Sequence, residues 1–181
     1  MKKIIIESKT HGTHEVLLDD EDYEWVSKEK WYLKRDRTVK KSLKLYVYRN
    51  LYSPGSRVPK LRILHREILK APKGVTVDHI NGNGLDNRKE NIRLCSVLEN
   101  NLNRGPSHHN KTGFKGVFKE PRNPNRPWCA NVFRRFGGKT KREHLGYYAT
   151  PEEAALVYDK KAIEYHGEFV WLNFPDGASQ E

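Results

Sequence analysis

The sequence predicts an α+β protein built from small modules. Hydrophobic residues make up only 36% of the 181 residues and charged residues 31%, so each core must be thin. Short β-like runs recur along the chain, and two capping boxes, at residues 96–99 and 150–153, each mark the start of a helix. A polar stretch with Gly and Pro at 104–112 indicates a linker. We therefore expect regions at 1–60, 61–103 and 113–176.

Net charge and cysteine content indicate which classes of partner and of structural site the protein can have. The formal net charge is +11 and the isoelectric point about 9.6, which favours a polyanionic partner, although an inert basic surface has the same charge. Cys95 and Cys129 form no CxxC pair, which argues against a Cys-type zinc site and a secreted disulfide scaffold. The apolar run near the start is too short for a signal peptide, and no stretch could cross a bilayer. We expect a cytoplasmic protein with no membrane contact.

The first region, 1–60, is predicted to be β-rich. Strands are expected at 3–7, 14–18 and 43–51, a short helix opened by the acidic residues 19–22, and a turn at 53–56. A basic stretch offers further contacts to a DNA backbone, with a solvated surface as the alternative. Its members are Lys34, Arg35, Arg37, Lys40 and Lys41.

The second region, 61–103, predicts a strand, a long polar loop, a strand and a helix. A strand at 75–77 leads into Asp78 and His79, and the Asn-Gly-Asn-Gly run at 81–84 must be a tight loop because only Gly and Asn readily accept positive φ. A returning strand follows at 91–94. Asn100 falls in the first turns of the helix that begins after Ser96.

These residues suit phosphodiester hydrolysis. Asp78 and Asn100 offer oxygen ligands to a hard cation such as Mg²⁺, and a neutral histidine near pH 7 suits water activation. Adjacent strand residues point to opposite faces, so Asp78 and His79 can share a site only if the backbone leaves strand geometry there. The role that remains for Asn91 is structural: its amide can hold the loop and so fix the orientation of His79. Singly, each residue could instead belong to a turn or a helix cap.

The runs 64–69, 77–82, 86–93 and 99–101 resemble the HNH homing endonucleases of phages. The resemblance covers residues 61–103 and implies a ββα-metal fold, with Mg²⁺ or another divalent cation such as Mn²⁺ held by Asp78 and Asn100. It implies that His79 is the general base and that Asn91 holds the loop. The last motif position is often His and is Asn here, so we expect loose metal affinity. Arg66 also matches the pattern, with a phosphate contact and a structural role both open.

The third region, 113–176, predicts three strands, at 114–119, 128–135 and 142–147, and a helix from 151 that ends at Gly167. The runs 113–117, 128–130, 145–148, 153–159 and 172–175 resemble the AP2 DNA-binding domain. That resemblance implies a three-stranded antiparallel sheet in the major groove, packed on one helix. Implied base and phosphate contacts are Phe118, Asn131, Phe133, Arg142 and His144. The neighbouring basic residues form a phosphate footprint or a solvated face: Lys115, Lys119, Arg122, Arg134, Arg135, Lys139 and Lys141.

Together the two resemblances predict a site-specific, metal-dependent DNA endonuclease of the homing type. The predicted partner is double-stranded DNA, nicked or cut on both strands by a monomer with no obligate protein partner, in the cytoplasm of a bacterial host. The alternatives are a sequence-specific DNA-binding regulator whose nuclease unit is inactive and an RNA-binding protein.

Overall fold

The computed structural model describes residues 1–36, 44–136, 138–175 and 177. It is a mixed α+β structure with four small sheets among the described residues, and it divides into two units, Met1–Asn100 and Asn101–Glu181. The boundary expected at residue 60 falls inside the first unit. None of the helices in the described part of the chain is both long and apolar enough to cross a membrane.

Elements up to residue 102 alternate short strands with short helices. They are β1 (Lys2–Ser8), β2 (Gly12–Leu18), α1 (Asp20–Val26), β3 (Tyr32–Arg35), β4 (Leu45–Leu51), β5 (Lys60–Ile63), α2 (Leu64–Ile68), β6 (Thr76–His79), β7 (Ile92–Cys95) and α3 (Val97–Leu102). All strand pairs are antiparallel: β1 with β2, β4 with both β3 and β5, and β6 with β7. The strands predicted at 3–7 and 14–18, the helix opened by the acidic stretch and the turn at 53–56 are confirmed.

One hydrophobic core joins the N-terminal strands to the segment that follows residue 60. Fully buried side chains of β2, β4 and α2 meet in it, among them Val16, Val47 and Leu64. Ile92 of β7 belongs to the same core. The first sixty residues therefore pack as part of the same body as β6 and β7. Of the basic stretch, Arg37, Lys40 and Lys41 lie outside the described residues.

The second unit pairs a three-stranded sheet with one long helix. Its elements are β8 (Val117–Lys119), β9 (Trp128–Phe136), β10 (Lys139–Tyr148), α4 (Pro151–His166) and a 3₁₀ helix (Gly167–Phe169). The sheet order is β10-β9-β8, antiparallel throughout. Strands are confirmed in all three predicted places, although β8 begins only at Val117, and α4 covers the predicted helix.

Alternation along the strands and a run of alanines on α4 explain the packing of this unit. Val117, Ala130 and Val132 point to the helix, which presents Ala154, Ala155, Tyr158 and Ala162, all buried in one core. At Gly116, with φ +78°, a Cβ would lie 2.0 Å from the Tyr158 ring, so only glycine fits. Thr150 caps α4, since Glu153 N donates to Thr150 Oγ1 at 3.2 Å. The bond to Glu153 Oε2 comes from Ala149 N, the residue before the cap, at 3.1 Å.

Candidate active site and candidate DNA interface

The β6–β7 hairpin carries the two residues with which the chemistry begins. Asp78 pairs with Arg93 across the strands and His79 with Ile92, and Ile80 N donates to Asn91 O at 2.8 Å. The backbone therefore keeps strand geometry at Asp78 and His79, so the condition stated from the sequence for a shared site is not met within β6. Backbone pairing continues through Ile80, so the two side chains follow strand alternation and meet different neighbours.

Asp78 is buried, with 5% of its surface exposed. Its Oδ2 accepts from Arg93 Nη2 at 3.1 Å and from Arg93 Nε at 3.3 Å. The buried carboxylate is thus compensated by a guanidinium that is itself nearly buried, as a charge in an interior must be.

The Cys95 thiol interacts with the Asp78 charge and with the backbone of α3. Burial raises the pKa of the Cys95 thiol, the Asp78 charge raises it further, and a hydrogen bond from the Asn100 backbone acts in the opposite direction. The capping box is confirmed, since Ser96 N donates to Glu99 Oε2 at 2.7 Å and Glu99 N donates to Ser96 Oγ at 3.2 Å. Among the described residues, no three His, Cys, Asp or Glu side chains form a metal-binding group.

His79 lies in a cluster of rings on the other face. Its ring centroid is 4.8 Å from that of His65, at an interplanar angle of 89°, and 5.9 Å from that of Tyr46. Burial lowers the pKa of His79 although a hydrogen bond with Asn87 raises it. Burial, together with the charges of His79 and Arg66, lowers the pKa of His65 to about 3. Both imidazoles are therefore neutral at pH 7, the form in which a histidine can accept a proton.

Asn91 joins the two ends of the loop that follows His79. Its Oδ1 accepts from Asn81 N at 3.0 Å and its Nδ2 donates to Asp86 O at 2.8 Å, and the side chain is 6% exposed. Asn81 Nδ2 donates in turn to Asp86 Oδ2 at 2.9 Å. The Arg88 side chain also binds Asp86 and holds the pKa of this carboxyl below its ordinary value.

The N-terminal region forms hydrogen bonds with the same loop. Leu17 N donates to Leu85 O and Asn87 N donates to Leu17 O, both at 2.9 Å, and Lys89 N donates to Asp19 Oδ2 at 2.7 Å. These residues were not among the predicted site residues, because no local pattern in the sequence indicates a contact between positions 70 apart. The first sixty residues therefore help to position the loop.

Arg66 ties down the turn before β6. Its Nη1 donates to Val75 O at 2.5 Å and its Nη2 to Pro72 O at 2.8 Å. These backbone contacts favour the structural one of the two roles that were open for Arg66.

In the second unit, six of the predicted DNA contacts lie on the sheet face opposite α4. The register places Phe133 beside Arg142 and Asn131 beside His144, while the alternate residues of β9 face the helix. Phe118 and Phe133 are 46% and 50% exposed. Asn131 is buried and lies 3.3 Å from His144 Nδ1. The six residues are Phe118, Asn131, Phe133, Arg135, Arg142 and His144.

The other predicted contacts lie elsewhere. By strand alternation Lys119 and Lys141 extend from the helix side of the sheet, and Lys119 Nζ lies 5.7 Å from the Trp128 ring centroid. Arg122 is exposed in the turn after β8. Lys115 Nζ donates to Leu102 O at 2.6 Å, and burial lowers its pKa to about 8. Its ammonium group is thus turned to the protein backbone.

Comparison with known proteins places the first unit's hairpin in a family. The family model described as HNH endonuclease matches residues 70–102. An uncharacterized HNH endonuclease of Acanthamoeba polyphaga mimivirus is 33% identical over 157 residues, which are 83% of this chain and 74% of the relative. Protein 3.8 of Escherichia phage T7 is 41% identical over 46 residues, 25% of this chain and 38% of the relative.

Plant transcription factors form a second group of similar proteins. An AP2-like ethylene-responsive transcription factor of Arabidopsis thaliana is 46% identical over 61 residues, which are 34% of this chain but only 16% of that protein. No solved structure matches the chain. The viral relative is matched over nearly three quarters of its length, and the family model covers β6, the loop and β7. The chain belongs to the HNH endonuclease family.

Proposed function

We propose that this protein is a site-specific DNA endonuclease of the homing type, with His79 as general base and with Asp78 and Asn100 as ligands of one divalent cation. The observation that carries the proposal is the β6–β7 hairpin. It holds a buried carboxylate and a neutral, buried histidine as the last two residues of β6, and the Asp78 charge acts on the His79 ring although the two side chains follow strand alternation. We place the scissile phosphate across this end of β6, where both side chains border the loop that Asn91 holds. An HNH endonuclease family model matches this segment.

The side chains at the proposed metal site fit a hard cation. Asp78 and Asn100 offer carboxylate and amide oxygens, the ligand type that Mg²⁺ and Mn²⁺ prefer. The Asp78 carboxylate is paired with Arg93, so a cation must displace a guanidinium, and two protein ligands imply loose affinity. When bound, the cation would neutralise charge on the scissile phosphate and stabilise the leaving oxygen.

His79 is suited to take the proton from the attacking water. Its neutral ring is restrained by Asn87 and by the rings of His65 and Tyr46, so little freedom is lost when it acts. Because it is the last residue of β6, it borders the loop that Asn91 holds. We assign Asn91 a positioning role.

We further propose that the second unit recognises double-stranded DNA through the sheet face that carries Phe133, Arg135 and Arg142. In support, this face is opposite α4 and the chain has a net charge of +11, and part of the chain is similar to AP2-like plant factors. The organisation we propose is a nuclease unit at 61–103 supported by residues 1–60, a connection at 104–112 and an AP2-like unit at 113–176. We expect it to act as a monomer in the host cytoplasm.

One alternative has an observation in its favour. Arg93 already neutralises the Asp78 carboxylate in an ion pair. Such a pair could take the place of a metal ion in a DNA-binding regulator whose nuclease unit is inactive. To separate the two, host and phage DNA is incubated with purified protein and Mg²⁺, with Mn²⁺, or with EDTA, and the new ends are sequenced. The proposal predicts breaks at a fixed position with either metal and none in EDTA. Specific DNA binding without any break would make the protein a regulator.

A further inference from the structure

Three aromatic side chains project from the face of the second unit's sheet that α4 does not cover. Phe118 is 46% exposed, Phe133 50% and Tyr147 40%. The register puts Phe118 and Tyr147 in one row across the sheet, on either side of Cys129. Phe133 lies in a second row, beside Arg142. Large apolar side chains grouped on one exposed face mark a binding surface more often than a solvated one.

The charges on this face point to a polyanion as the occupant. Arg142 lies directly opposite Phe133, and Arg135 lies two residues further along β9 on the same face. Arginine suits phosphates and guanine edges, but neither of these is a partner for a phenylalanine ring. The occupant must therefore offer an apolar group within a negatively charged surface.

The thymine C5-methyl group is the apolar group that the bases display in the major groove of duplex DNA. The other side chains of the face do not replace this contact: Asn131 is buried against Cys129 Sγ and His144 Nδ1, at 3.7 Å and 3.3 Å. Phe118 pairs with Cys129, and Phe133 lies four positions further along β9, which is about 13 Å along a strand. For a strand that runs along the major groove, as this inference requires, a base-pair rise of about 3.4 Å makes that spacing about four base pairs.

We propose that Phe118 and Phe133 are specificity-determining residues that contact thymine methyl groups in the major groove of duplex DNA. The target then carries thymines at two positions about four base pairs apart. This inference rests on the proposed function, since it requires the sheet to lie in the major groove.

Uracil tests the inference directly, because it differs from thymine only by the methyl group. The full-length protein first selects sites from a random-sequence duplex library in EDTA, so that no strand is cut. Each thymine of the selected site is then replaced by uracil, and the Kd is measured by fluorescence anisotropy. We expect a rise of about fourfold at each of two positions, the contribution of one buried methyl group, and no change at the others.

Variants assign each position to a side chain. Phe133→Ala should lose the uracil effect at one position and keep it at the other, and Phe118→Ala should do the reverse. Tyr52→Ala, which removes an aromatic ring that is 62% exposed in the first unit, serves as the matched control and should keep both effects. If an alanine variant fails to fold by circular dichroism, the uracil series on the wild-type protein decides alone.

Several results would overturn the inference. A selected site that tolerates uracil everywhere, or a uracil effect that persists in both variants, would show that these rings do not contact methyl groups. Stronger binding to the single strands than to the duplex would make the rings stacking platforms. Failure of the proposed function itself looks different: the protein would then select no duplex site, and Arg135→Ala together with Arg142→Ala would leave its DNA affinity unchanged.

Discussion

Replacing Asn91 by alanine tests how the loop beside His79 is held. The side chain is 6% exposed and makes two hydrogen bonds, accepting from Asn81 N at 3.0 Å and donating to Asp86 O at 2.8 Å. The first of these backbone groups lies at the start of the loop and the second near its middle, and Asn91 itself lies at the loop's end. Alanine leaves both without this partner and removes the link between them.

The expected cost follows from those two bonds. A buried polar group left unsatisfied costs about 1 to 3 kcal/mol, so two of them predict a loss of about 2 kcal/mol or more in the free energy of unfolding. Residues that position a catalytic group typically contribute 10- to about 100-fold, so we expect kcat to fall by that factor. Such a fall corresponds to about 1.4 to 2.8 kcal/mol in the activation free energy. The Kd for DNA should change little, because Asn91 is buried.

The measurements are urea unfolding, DNA affinity and single-turnover cleavage of the mapped site. Asn83→Ala is the matched control: it also removes a loop hydrogen bond, from Leu85 N at 3.1 Å, but Asn83 is exposed. It should cost less than about 1 kcal/mol and leave the cleavage rate within about threefold. If Asn91→Ala unfolds and cuts like the wild type, the loop is not held by this side chain and our reasoning about it is refuted.

Three other changes test separate contacts. Burial holds the pKa of His65 at about 3 against about 6.5 when unfolded, so stability is complete above pH 6.5 and falls as the unfolded chain takes up the proton. When the pH is lowered from 7 to 5, the free energy of unfolding measured in urea should fall by about 2 kcal/mol less in His65→Phe than in the wild type. An equal fall in both proteins would contradict a buried, neutral His65. Arg66→Ala should lower the melting temperature without changing the salt dependence of DNA binding, whereas a slope reduced by about one unit would indicate a phosphate contact. Thr150→Ala should destabilise the second unit by about 1 kcal/mol, and unchanged urea unfolding would show that the cap of α4 contributes nothing.

Local signals predicted much of the secondary structure. The helices expected after Ser96 and Thr150 are present, and the alanines of α4 lie on the one helix face that packs against the sheet. These features depend on neighbours within a few residues, so the sequence contains the information.

Features that depend on contacts between residues far apart in the sequence could not be predicted from local patterns. Strand geometry persists at Asp78 and His79 because Ile80 bonds to Asn91 across the hairpin. The hydrogen bond from Lys89 N to Asp19 Oδ2 joins positions 70 residues apart. Lys115 is drawn inward by Leu102 O, although most lysines are exposed. In each case the partner decides the outcome, and no local pattern identifies the partner.

The central claim is that His79 and Asp78 supply the chemistry of DNA cleavage, and single-turnover kinetics on the mapped site test it most directly. Wild-type protein, His79→Ala and Asp78→Ala are compared in Mg²⁺, with Kd and circular dichroism measured for each. We predict that both variants fold and bind DNA, while His79→Ala cuts about 100-fold or more slowly and Asp78→Ala no longer responds to the metal. Wild-type cleavage rates in folded His79→Ala would contradict the claim.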